Sequence, residues 1–148
     1  MKKIIEDAAK SVGITAMITN SKERIETQLN SLTRHADLPL MLISWDIDVT
    51  VVFSKEGFLK NPPTKVVCLL MDKAFDNSKD EREKTAEKMG LLYMSFLEKL
   101  WESLIPFQKT QDEPIYDASY KLSPEYGSGK HSGVIGLFTM NDAIKDIC

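Results

Sequence analysis

Cysteine is scarce in this chain: two in 148 residues. Cys68 sits inside an apolar run and Cys148 is the last residue of the sequence. Two cysteines so placed do not make a disulfide framework, and a reducing compartment suits them better. Histidine is equally rare, with His35 and His131 alone. A zinc site would need further ligands, and the two cysteines are poorly placed to supply them. Long hydrophobic runs are missing too. Pro39–Trp45 and Val66–Met71 fall far short of the ~20 apolar residues that span a bilayer. The opening Met-Lys-Lys meets Glu6, Asp7 and Lys10 at once, so no signal peptide is expected. No internal repeat or low-complexity tract occurs. Neither charge sign dominates: the net charge is −3 and the pI about 5.4, which argues against a general nucleic-acid binder.

What is present reads as one ordinary globular domain. The chain is 43% hydrophobic and 28% charged, and 148 residues suffice to bury a real core. Its strongest signal is a long helix over Asp80–Leu104. Ala86, Met89, Tyr93, Phe96, Leu97, Leu100 and Leu104 recur at helical spacing as one stripe. At ~1.5 Å per residue this helix runs ~37 Å. Asn77 or Ser78 is positioned to cap its start, and Pro106 stops it.

Around that helix the pattern predicts strands. Leu40–Trp45 is continuously apolar, as in a strand buried on both faces or at a subunit contact. Asp46–Phe53 alternates, with Ile47, Val49, Val51 and Phe53 on one face. Lys-Glu-Gly and Asn-Pro-Pro mark Ser54–Thr64 as a loop. Lys65–Met71 follows as a strand, which makes a hairpin with Asp46–Phe53. Ile115–Leu122 and Val134–Met140 are the last strands, separated by a Pro-, Gly- and Ser-rich loop, Ser123–Ser132. Near the N-terminus, Lys2–Val12 reads as a helix that turns in Ile5, Ala8 and Ala9 and stops at Gly13. Gly13–Thr19 is a short strand or connector. Asn20 and Glu23 form a capping box for a second helix, Ser21–His35. Asn141 caps a short helical tail.

The expected class is α+β: a mostly antiparallel sheet packed on one long helix, with N-terminal helices. Residues 1–37 form a helical arm, 38–140 the core and 141–148 a tail. The expected inward set is Ile47, Val49, Val51, Val67, Leu69, Met89, Tyr93, Phe96, Leu97, Leu100 and Phe138.

Several segments invite a chemical reading. Asp46-Ile47-Asp48 resembles the Asp-x-Asp pair with which sugar-transfer enzymes hold a metal, since alternate strand residues share a face. The plainer reading is the solvated side of an alternating strand. Gly127-Ser128-Gly129-Lys130-His131-Ser132-Gly133 suggests a phosphate loop, but it leads into a strand rather than a helix. Cys68 has only apolar neighbours, which suits a buried small hydrophobe better than a nucleophile. Glu81-Arg82-Glu83-Lys84 lies on the helix, not on the paired strands of a nuclease core.

The order of elements carries more. Leu38-Pro39-Leu40-Met41-Leu42-Ile43, then Lys65–Met71 with Asp80–Phe107 and an early Arg82, then Gly133-Val134-Ile135-Gly136-Leu137-Phe138-Thr139, resemble successive parts of the tail-terminator or tail-completion family of tailed phages and prophages. In that family Leu/Phe-Pro leads into the first strand, a strand and polar turn precede the long helix, and the closing strand ends Phe-Thr. The resemblance spans Leu38 to Met140; the Ser21–His35 helix is extra. It implies a non-enzymatic ring former, typically hexameric, that terminates the tail tube or joins it to the head. It implies no catalytic residue and no cofactor. The implied partners are tail-tube and head-completion proteins, with no membrane and no sequence-specific nucleic acid, in the virion and, during assembly, the host cytoplasm. The competing expectations are a small α+β enzyme or ligand-binding domain with a divalent metal at Asp46 and Asp48, and a mobile-element adaptor.

For a ring, the expected interface residues are Leu40, Leu42 and Trp45 on an open sheet edge, and Leu92, Trp101 and Ile105 on the flank of the long helix. Lys55, Phe58, Tyr126, Lys130 and His131 are the expected loop contacts to a neighbouring component.

Overall fold

A computed structural model describes residues 2–19, 39–45, 52–53, 59–60, 64–73, 78–107, 113–126 and 131–140. The elements are α1 (Lys2–Ser11), β1 (Thr15–Thr19), β2 (Leu40–Trp45), β3 (Val52–Phe53), β4 (Leu59–Lys60), β5 (Thr64–Lys73), α2 (Lys79–Leu104), β6 (Ile115–Tyr126) and β7 (His131–Met140), with a 3-10 turn over Ile105–Phe107. The class is α+β. Five strands form one sheet in the order β1-β2-β5-β7-β6, antiparallel except for the parallel pair β1 and β2. Among the described residues no helix is long and apolar enough to cross a membrane.

Helix α1 ends as its sequence suggests. Gly13 adopts φ +83°, a left-handed conformation open to glycine. The Ile14 N–H reaches the Ala9 carbonyl at 2.9 Å and the Gly13 N–H reaches the Lys10 carbonyl at 3.1 Å, the bond pair of a Schellman motif. Ile5, Ala8 and Ala9 are buried, α1 packs on α2, and β1 joins the sheet. Ile5, Ala8, Ala9 and Ile14 of this N-terminal segment thus belong to the core. The predicted helix Ser21–His35 and the tail 141–148 lie outside the described residues.

Helix α2 starts at Ser78, whose Oγ accepts from the Glu81 N–H at 3.3 Å. Thr85, Ser95 and Ser103 return their hydroxyls to the carbonyls of Glu81, Leu91 and Lys99, so mid-helix polar groups are satisfied locally. Ala86, Met89, Tyr93, Phe96, Leu100 and Leu104 are buried and Leu97 is half-buried, so the predicted stripe is the core face.

That stripe covers one face of the sheet. Met41 and Ile43 of β2, Val66, Cys68 and Leu70 of β5, and Val134, Phe138 and Met140 of β7 join it in one core. Two expectations for this region are corrected. First, β5 turns Val66, Cys68 and Leu70 to the helix, whereas Val67 and Leu69 are only half-buried. Leu69 packs instead in a second cluster with Leu40, Leu42 and Met71. Second, β5 pairs with β2, Leu40 opposite Met71, while β3 pairs with β4 in a separate two-stranded ribbon. Ser54–Thr64 thus contains a strand rather than being all loop. Ile47, Val49 and Val51 fall outside the described residues.

The contact of α2 with β6 and β7 depends on two glycines. A Cβ on Gly136 would stand 2.6 Å from Cε2 and the hydroxyl oxygen of Tyr93. A Cβ on Gly90 would stand 2.9 Å from Cε2 of Tyr120. Each ring occupies space that a side chain on the facing element would fill. The two tyrosines meet edge-on, their centroids 6.0 Å apart.

Candidate assembly surface

Strand β6 is an edge of the sheet and a broken one. Between Tyr116 and Ser119, and again between Ser123 and Tyr126, it carries an extra residue relative to β7. Asp117, at φ +50°, sits in the first bulge, a conformation that Asp accepts more readily than most residues. Pro124 falls in the second. Bulges and proline make a poor template for further strand pairing. What β6 leaves beside it is side-chain surface.

On α2, Gly90 marks the flank toward β6. At ~100° per residue, Met94, Leu97, Trp101 and Ile105 project near that direction, with Leu91 further out. Leu91 is 70% exposed, Met94 54% and Ile105 49%. Trp101 and Leu97 are half-buried. Between this flank and the start of β6 lies an open groove of about 370 Å³. Its walls are Met94, Leu97, Trp101, Ile115 and Ala118, and Glu98 and Glu102 stand on its rim. Lys99 approaches Glu102 at 3.5 Å, an exposed pair of small energetic weight. Tyr120 and Leu122, both exposed, continue the apolar surface along β6.

The predicted interface residues divide on this geometry. Trp101 lines the groove, and Ile105 is exposed on the same side of the helix by its spacing. Leu92 does not join them: it projects on the opposite side of α2 and packs against the core. Leu40 and Leu42 are no open edge: β2 lies between β1 and β5, and their side chains are buried in the second cluster with Met71, Met17, Leu69 and Ile135. Trp45 pairs with Val66 in the same interior strand. The loop assignments change as well. His131 is buried in β7, paired with Lys73 on one side and Tyr126 on the other. Tyr126 belongs to β6, so the supposed loop Ser123–Ser132 is mostly strand. Lys55, Phe58 and Lys130 fall outside the described residues, as do Asp46, Asp48, His35 and Cys148. Among the described residues no three His, Cys, Asp or Glu side chains gather in a metal-binding group.

Met94 is absent from the expected interface although the sequence carries its signal. Leu91, Met94, Glu98, Trp101 and Ile105 alternate steps of three and four, the repeat of a helix seam. The buried nucleophiles stand apart from this surface. Burial raises the Cys68 thiol pKa well above its ordinary 9.0. Burial, then the neighbouring Cys68, raises that of the Tyr93 phenol, whose hydroxyl has no hydrogen-bond partner among the described residues. Neither group is poised to react near neutral pH.

Against known proteins, the chain matches no family model, no curated protein and no solved structure.

Proposed function

We propose that this chain is a non-enzymatic structural protein of a phage or prophage tail, assembling into a homo-oligomeric ring that terminates the tail tube or joins it to the head. The observation that carries this reading is the apolar flank of α2. Leu91, Met94 and Ile105 are exposed on the same helix as half-buried Trp101, and Met94 and Trp101 line an apolar groove. Exposed apolar side chains gathered into one contiguous surface mark contact sites, and Trp is a favoured anchor within them. The order of elements that carries the family resemblance adds to it.

Light scattering over a concentration series, alone and with a phage tail-tube protein, tests the reading. The expected result is a discrete assembly of several subunits, abolished by Trp101→Glu while the circular dichroism is retained. A chain that stays monomeric in both settings refutes it.

A further inference from the structure

The groove has an acidic rim. Glu98 and Glu102, one helical turn apart, line it beside the apolar residues, and Lys99 meets Glu102 at 3.5 Å. The groove's complement is an apolar projection flanked by positive charge, and the chain carries one on the other side of its sheet. Leu137 is 46% exposed although it lies in a strand paired on both sides. Its neighbours in β7, Gly136 and Phe138, face α2, so Leu137 faces away. Lys65 pairs with Thr139 and Lys121 pairs with Ile135, one on each side of the Leu137 row. Both lysines are exposed. Half-buried Val67 and Ile135 complete the patch.

We infer that the groove of one subunit receives the Leu137 patch of a second copy of this chain, with Lys65 and Lys121 meeting the acidic rim. The two surfaces lie on opposite faces of the sheet, so one molecule cannot satisfy itself. Each subunit gives its patch to one neighbour and its groove to another. This is a heterologous contact, the kind that closes into a ring when the rotation permits. Opposed charge fixes which surface meets which and speeds encounter, and it makes assembly weaken as salt rises. The inference rests on the assembly proposed above and names the two surfaces that carry it.

The test is reversal of charge in the full-length protein, read by light scattering with the tail-tube protein present and absent. Glu98→Lys with Glu102→Lys should raise the concentration needed for assembly at least tenfold, and Lys65→Glu with Lys121→Glu should do the same. All four substitutions together should return it to within about threefold of the parent, since the charges are then opposed again. Leu137→Asp should prevent assembly while the melting temperature stays close to the parent's. If the parent assembles and the two double variants assemble equally well, the pairing of these surfaces is overturned and the tail reading stands. If the parent stays monomeric with and without the tube protein, both fall.

Discussion

The packing of Tyr93 against Gly136 makes a quantitative prediction. The ring is fully buried, with Phe96 at a centroid distance of 6.3 Å and Tyr120 at 6.0 Å. A Cβ at Gly136 would come within 2.6 Å of its Cε2, and the ring has no open side to yield toward. Overpacking of this kind costs ~1–3 kcal/mol. Gly→Ala also restricts the unfolded chain, which offsets ~0.4–1 kcal/mol. Gly136→Ala should therefore destabilise by about 1–2 kcal/mol. In a Tyr93→Leu background the obstructing ring is gone, and the same substitution should be neutral or slightly stabilising. The coupling in the double-mutant cycle should be at least ~1 kcal/mol. Tyr93→Phe separates ring from hydroxyl. It removes a buried group with no partner among the described residues, so it should leave stability unchanged or raise it by ~1 kcal/mol, while keeping the sensitivity to Gly136→Ala. Urea unfolding with a common m-value supplies the numbers. Equal cost of Gly136→Ala in the parent and in the Tyr93→Leu variant would refute the proposed interlock.

Gly90→Ala should behave differently from Gly136→Ala: helix propensity gains ~1 kcal/mol and exposed Tyr120 can swing aside, so the net change should not be destabilising; a loss above ~1 kcal/mol in urea melts would show that Tyr120 is held fast. Leu100→Ala should cost ~2–5 kcal/mol; a loss under ~1 kcal/mol would contradict its burial. Stability should fall on the alkaline side. Below pH 9 Cys68 is a thiol in both states; above it the unfolded chain ionises while the folded one resists, because its pKa is raised from 9.0. The slope from this one group approaches ~1.4 kcal/mol per pH unit. Cys68→Ala should flatten the fall between about pH 9 and 10, measured by urea melts across pH, and an unchanged slope would count against the buried thiol.

Much of this fold is legible in the sequence because its signals are periodic. Helix α2 announces itself through a stripe repeated turn after turn, and α1 through Ile5, Ala8, Ala9 and the stop at Gly13. Strand β5 shows where periodicity fails. Val66, Val67, Cys68, Leu69, Leu70 and Met71 are all apolar, so alternation cannot say which face meets the helix. Both faces do pack, which is why the run is continuous. Strand β6 extends past its expected end because Pro124 reads as a breaker in sequence, whereas an edge bulge tolerates it. The groove needs α2 and β6 brought together, which no local pattern encodes. Hydropathy alone groups Leu92 with Trp101; counting the helical angle separates them.

The pairing of β5 with β7 has a consequence for how the chain reaches its structure. Residue 73 pairs with 131, and 64 with 140, so every rung of that ladder closes a loop containing the whole of α2. Strands β6 and β7, by contrast, are chain neighbours and can pair first. Closing a long loop costs entropy before any contact repays it, and distant pairings slow folding. Helix α2 and the β6–β7 hairpin should thus form early, with β5 docking between β7 and β2 as the slow step. Substitutions at the β5–β7 seam would then act chiefly on the unfolding rate, and those inside α2 on the rate of folding.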